Sequence, residues 1–85
     1  MVYKILIDDK VIKDLKKIPL KSQKKILETI KTKLVKNPFS GKKLLGDLSK
    51  YYKYRVGDYR IIYEILQQEI TIVIIKIKHR KDVYK

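Results

Sequence analysis

The sequence predicts an α+β domain of order β-α-α-β-β-β, and three observations carry that prediction. A short apolar run near the N-terminus gives way to two stretches whose apolar residues recur at helical spacing. The second half switches to strand alternation, punctuated by Gly57-Asp58 and Gln67-Gln68-Glu69. Between the two, residues 39–50 hold two glycines and read as a connector, so residues 1–85 form a single domain.

Val2 to Ile7, with Val, Tyr and two Ile, suits a strand, and Asp8 or Asp9 supplies an N-cap for the first helix. In Asp9 to Ile18, Val11, Ile12, Leu15 and Ile18 are spaced by three and four, and Pro19 stops the helix. From Leu20 to about Lys36 the pattern returns in Ile26, Leu27, Ile30, Leu34 and Val35, with lysines between them, until Asn37-Pro38. Leu44, Leu45 and Leu48 of the connector are expected to tuck against the sheet. Tyr51 to Val56, Tyr59 to Leu66 and Ile70 to Ile77 then form an antiparallel meander, on which the N-terminal strand and helical hairpin pack.

Hydrophobic residues make up 45% and charged residues 36%, so nearly every position is either core or charge and the chain is globular. A net charge of +13 on 85 residues points to a polyanionic partner, nucleic acid first. With no cysteine and one histidine, disulfide scaffolds, cysteine nucleophiles and the common zinc sites are excluded, and neither metal nor cofactor is expected. No Gly-rich phosphate loop or Ser-His-Asp grouping can be assembled. No apolar run approaches the ~20 residues that span a bilayer, and MVYKILIDDKVI lacks the form of a secretory signal; a soluble, cytoplasmic protein is expected.

The hairpin YYKYRVGDYRII holds the residues that point to function. A two-residue turn at Gly57-Asp58 opposes Val56 to Tyr59, Arg55 to Arg60, Tyr54 to Ile61 and Lys53 to Ile62. Tyr52, Tyr54, Val56, Tyr59, Ile61 and Tyr63 then face the helices, while Lys53, Arg55 and Arg60 gather on the other side. Like charges opposed on neighbouring strands cost roughly 0.2–1 kcal/mol per pair, a cost that stability does not require. Arginine can grip a phosphate through two parallel hydrogen bonds, so the cluster reads as a phosphate site. The plain alternative is that both side chains splay into water, or that one pairs with Glu64. The last strand carries Lys76, Lys78, His79, Arg80 and Lys81 toward one edge. With a turn at 67–69, Arg60 should lie near Ile75, and a short return of the tail would add Arg80.

The stretch KLLGDLSKYYKYRVGDYRIIYEI followed by HRKDVY resembles the RelE/ParE superfamily of bacterial and archaeal toxins, the RelE branch above all. The resemblance spans essentially the whole chain and rests on K-L-x-G, x-Y-R-I-I-Y and H-R-x-D-V-Y together. It implies a RelE-like fold and endonucleolytic cutting of mRNA in the ribosomal A site, without metal, by attack of a ribose 2′-hydroxyl on the adjacent phosphate. By position, Lys53 and Arg55 match the basic strand residues that activate the hydroxyl and steady the phosphorane, and Arg60 the phosphate-binding arginine. Arg80 matches the arginine that stabilises charge or protonates the leaving oxygen, and Tyr84 the C-terminal tyrosine that stacks on the base or assists proton transfer. His79 and Lys81 are further candidates, since some relatives use a histidine near the C-terminus. Two departures matter: Arg55 stands where the best-known member has Lys, a better general base, and the segments before Tyr59 and Tyr84 are shorter. The implied partners are an acidic, RelB-like antitoxin in a hetero-oligomer and the ribosome with its message. The alternatives are a ParE-like toxin that poisons DNA gyrase without nuclease activity, and a non-catalytic RNA-binding module. ParE-like members usually lack the full set of Lys53, Arg55, Arg80 and Tyr84, which favours the nuclease.

Overall fold

A computed structural model describes residues 2–81 of the chain. Strand β1 (Lys4–Ile7) leads into α1 (Asp9–Lys16) and α2 (Leu20–Thr29), and a short β2 (Lys42–Lys43) precedes β3 (Tyr51–Val56), β4 (Tyr59–Leu66) and β5 (Thr71–His79). They build one five-stranded sheet in the order β1-β5-β4-β3-β2. The expected meander β3-β4-β5 is antiparallel throughout. The structure adds β1, which runs parallel to β5 with Ile5 beside Ile72 and Ile7 beside Ile74, so the whole sheet is mixed. The apolar run of β5 suits its place between β1 and β4. No helix of the described residues is long and apolar enough to cross a membrane.

The helices cover one face. Val11 and Leu15 of α1, Ile26 of α2, and Ile30 and Leu34 beyond it meet Val56, Ile61, Tyr63, Ile72, Ile74 and Ile77 of the sheet in one core. Tyr52, Tyr54 and Tyr59 pack partly buried against that core, as the alternation requires. Apolar side chains brought out of water in this way supply about 25 cal/mol per Å² of buried surface.

Several boundaries differ from expectation for local physical reasons. Asp8 occupies the N-cap of α1, but its carboxylate makes no capping bond; its backbone carbonyl accepts from Val11 and Ile12, each at 3.0 Å. The helix ends at Lys16, two residues early, and the side chain of Gln23 satisfies the carbonyl of Leu15 at 2.8 Å. The second helix does not run unbroken to Lys36: from Ile30 to Leu34 it widens into a π-turn, closed by Val35 N–H to the carbonyl of Ile30 at 3.1 Å. The widening keeps Ile30, Leu34 and Val35 all buried. Leu45 and Leu48 do not tuck against the sheet; they are 90% and 53% exposed. Ile70 belongs to the turn rather than to β5. Its φ of +49° is a left-handed conformation that strains a β-branched residue.

Candidate functional site

The register of the β3-β4 hairpin is the one the two-residue turn requires: Val56 opposes Tyr59, Arg55 opposes Arg60, and Lys53 opposes Ile62. Gly57 makes the turn possible with φ of +59°, a conformation glycine adopts at little cost. The next pairing departs from expectation. Arg60 lies opposite Lys78 and not near Ile75, because the strand pair starts at Leu66–Thr71 and a bulge beside Ile62 and Tyr63 advances β5 by a further residue.

That shift concentrates charge. Opposed residues share a face, so two successive rungs on the face away from the helices read Lys42, Lys53, Ile62, Lys76 and Arg55, Arg60, Lys78 across the strands. Neither rung holds a carboxylate, and Glu64 sits opposite Tyr51 and Val73, one rung beyond Ile62. Arg55 bends toward the turn, its Nε 3.5 Å from the Gly57 carbonyl, a contact too long to hold it firmly.

Arg80 needs no long return to reach this cluster. Its N–H donates to the Asp58 carbonyl at 2.7 Å, and its Nε lies 3.9 Å from the Asp58 carboxylate. Both side chains are more than half exposed, so the ion pair contributes little stability, while the backbone bond sets the position. Arg55, Arg60, Arg80 and Lys81 together line a hollow of about 520 Å³. A second, of about 360 Å³, lies on the other side of the arginine pair, lined by Ser40, Gly41, Lys42, Lys53, Tyr54, Arg55 and Arg60. Lys53, Arg60 and Lys78 meet again in a third of about 210 Å³, floored by Leu44 and Ile62. Arg60 is common to all three.

One wall of the second hollow is pinned from below. Tyr63, fully buried and stacked on Tyr52 at 5.8 Å, donates its hydroxyl to the Pro38 carbonyl at 2.6 Å and accepts from the Gly41 N–H. Burial pushes its hydroxyl up to about 12, tempered by that N–H. A Cβ at Gly41 would run into the Tyr63 hydroxyl and lie 2.7 Å from the Lys53 carbonyl, so only glycine lets the loop approach so closely.

Of the residues singled out from sequence, Lys53, Arg55, Arg60, Arg80 and Lys81 come together around these hollows. His79 points to the helix side, edge-on to Tyr59 with ring centroids 5.0 Å apart. Tyr84 lies outside the described residues. Lys42 and the Ser40-Gly41 wall were not legible: β2 is two residues long, too short for alternation to show, and its pairing with β3 is set by the Tyr63 pin.

This arrangement can bind a phosphodiester from several sides and stabilise added negative charge on it. Comparison with known proteins gives it a context. Residues 5–84 match the family model described as ParE toxin of type II toxin-antitoxin system, parDE. A protein named as toxin RelE1 from Methanocaldococcus jannaschii is 37% identical, over 100% of this chain and 98% of its own length. Among solved structures, the RelBE2 toxin–antitoxin complex of Mycobacterium tuberculosis contains a chain with TM-score 0.89 and 28% identity, covering 94% of this chain and 100% of that one. The archaeal RelE–RelB complex of Pyrococcus horikoshii has one with TM-score 0.72 and 30% identity, covering 94% and 97%.

Proposed function

Because the chain belongs to the RelE/ParE family of type II toxin–antitoxin toxins, we propose that it is a ribosome-dependent endoribonuclease that cuts mRNA in the A site. The observation that supports this reading best is the gathering of Arg55, Arg60 and Arg80 around one hollow, with Lys53 across the arginine pair. In the reaction the ribose 2′-oxygen attacks the adjacent phosphorus, the bond from phosphorus to the 5′-oxygen breaks, and a 2′,3′-cyclic phosphate remains, which addition of water across its 2′-O–P bond opens to a 3′-phosphate. The 2′-hydroxyl gives up its proton and the departing 5′-oxygen takes one. Arg55 and Arg60 hold the non-bridging oxygens as charge builds on them, Arg80 stands toward the leaving group, and Lys53 receives the 2′-proton when its amine is neutral. Tyr84 keeps its proposed role of stacking on the base.

Most of the acceleration comes from preorganised cations and from alignment of the message by the ribosome, since a well-oriented intramolecular attack gains up to ~10⁵–10⁸ M in effective concentration. The partner that silences the site is a cognate antitoxin, RelB-like and acidic, laid over the basic rungs in a hetero-oligomer. RelB–RelE complexes are what the similar structures from M. tuberculosis and P. horikoshii contain.

The test is to translate a defined message with and without the protein and map new 3′ ends by primer extension. Codon-positioned cuts that disappear in Arg80→Ala are expected. In Lys53→Met a pH–rate profile identical to that of the unaltered protein would remove Lys53 from the base role. The description of the family model as a ParE toxin favours a second reading, a gyrase poison without nuclease activity. An intact message together with trapped gyrase complexes would establish that reading and overturn the first.

A further inference from the structure

At the end of β5 the chain curls around one side chain. The ring of His79 lies edge-on to Tyr59, its plane at 86° to the tyrosine, and its Nδ1 accepts the N–H of Lys81 at 3.1 Å. Within the same curl the N–H of Arg80 donates to the Asp58 carbonyl at 2.7 Å. One residue is thereby tied to the hairpin tip, and the next is tied back to the imidazole. A side-chain acceptor that bonds a backbone N–H two residues on selects a tight turn over continued strand. Without it, β5 has nothing in its own sequence, neither glycine nor proline, to bend it at Arg80.

We propose that His79 is a positioning residue, whose Nδ1 holds the Lys81 amide and so delivers the Arg80 guanidinium and Lys81 to the hollow they share with Arg55 and Arg60. Its effect on rate rests on the nuclease reading; the turn itself does not. An Nδ1 that accepts a hydrogen bond carries no proton, so the ring is the neutral tautomer with hydrogen on Nε2. Among the described residues, the charged and titratable groups near this end of the molecule include Asp58 and Tyr59 of the hairpin, Arg80 and Lys81 of the curl, and Lys21 and Lys25 of α2, which line one hollow with Asp58 and Tyr59. The assignment separates His79 from a general acid, which would act on substrate through the nitrogen that bears the proton.

Two isosteres distinguish these roles. The Oδ1 of asparagine can take the place of Nδ1, whereas glutamine sets its amide where Nε2 stands. In single-turnover cutting on programmed ribosomes, His79→Asn should stay within about threefold of the unaltered protein. His79→Gln and His79→Ala should fall by about tenfold or more in rate with KM little changed, the scale expected when a charge-stabilising group moves by about 1 Å. Nitrogen-15 NMR of the unaltered protein should show Nδ1 unprotonated, and Lys81 amide exchange should quicken in His79→Ala and His79→Gln but not in His79→Asn. A protonated Nδ1, or an active glutamine variant beside an inactive asparagine one, would overturn the proposal. If the unaltered protein cuts no message, the nuclease reading falls alone, and the NMR tautomer and Lys81 exchange still decide whether His79 holds the curl.

Discussion

Arg55 and Arg60 face each other across two strands, with Lys78 next to Arg60 on the same rung, and the fold gains nothing from their company. Replacing one should therefore relieve repulsion. Arg60→Thr is expected to raise stability by roughly 0.2–1 kcal/mol in thermal or denaturant unfolding while it abolishes message cutting. A fall in both would mean that the arginine is part of the packing. Tyr63 is the opposite case, a polar group fully inside and fully bonded. Its hydroxyl titrates near 12 in the fold against 10.0 in the unfolded chain, so the folded state holds the proton longer. The stability this represents is complete below pH 10 and is lost as pH rises from 10 through 12, on the order of 3 kcal/mol. Tyr63→Phe should lower stability at neutral pH, because the Pro38 carbonyl and Gly41 N–H lose their partner, and should show a shallower alkaline decline in the same pH window.

Among the elements, the β3-β4 hairpin was wholly legible because a two-residue turn leaves one register and alternation then assigns every side chain a face. The β4-β5 pairing was not, since the turn at 67–70 holds Ile70 in a left-handed conformation and a bulge adds a residue, neither of which has a local signature here. Helix existence followed from spacing, but the π-turn could not, as it answers to how Ile30, Leu34 and Val35 meet the sheet. The leucines at 45 and 48 misled because apolar character alone does not say what lies beneath a loop. The connector's one demanding position is Gly41. Gly41→Ala should cost more than about 2 kcal/mol, beyond an ordinary loop substitution, because backbone and a buried tyrosine are both in the way. Unfolding midpoints compared with Gly46→Ala, where φ is +69° but no atom lies within 4 Å, separate close approach from backbone conformation.

At the scale of the molecule, the fold is a two-layer body in which the helices seal one side of the sheet and the cations occupy the other. The family was legible because its motifs fall near where the sheet gathers the cations: K-L-x-G follows the Ser40-Gly41 wall and its Leu44 floors the third hollow, Y-R-I-I-Y lies in the central hairpin, and H-R opens the curl. That Arg80 joins the cluster was foreseen, but the tie that brings it there was not, since the Asp58 carbonyl that takes its N–H and the curl at His79 follow no sequence pattern. If the rungs bind a single-stranded message by its phosphates, log affinity should fall linearly with log salt, and Arg55→Ala should make the slope shallower by about 0.7. Titrations of a short RNA at several ionic strengths measure this; an unchanged slope would place Arg55 away from the backbone. The layer of helices is itself studded with exposed lysines, Lys10, Lys13, Lys16, Lys17, Lys21, Lys24 and Lys25 among them. A polyanion would thus be drawn to either side, whereas the chemistry proposed above belongs to the sheet side alone. If the protein acts on RNA as proposed, capture is easy and orientation is scarce: it would find its target by repeated landing and release, and time spent facing the wrong way would set the pace of a productive encounter.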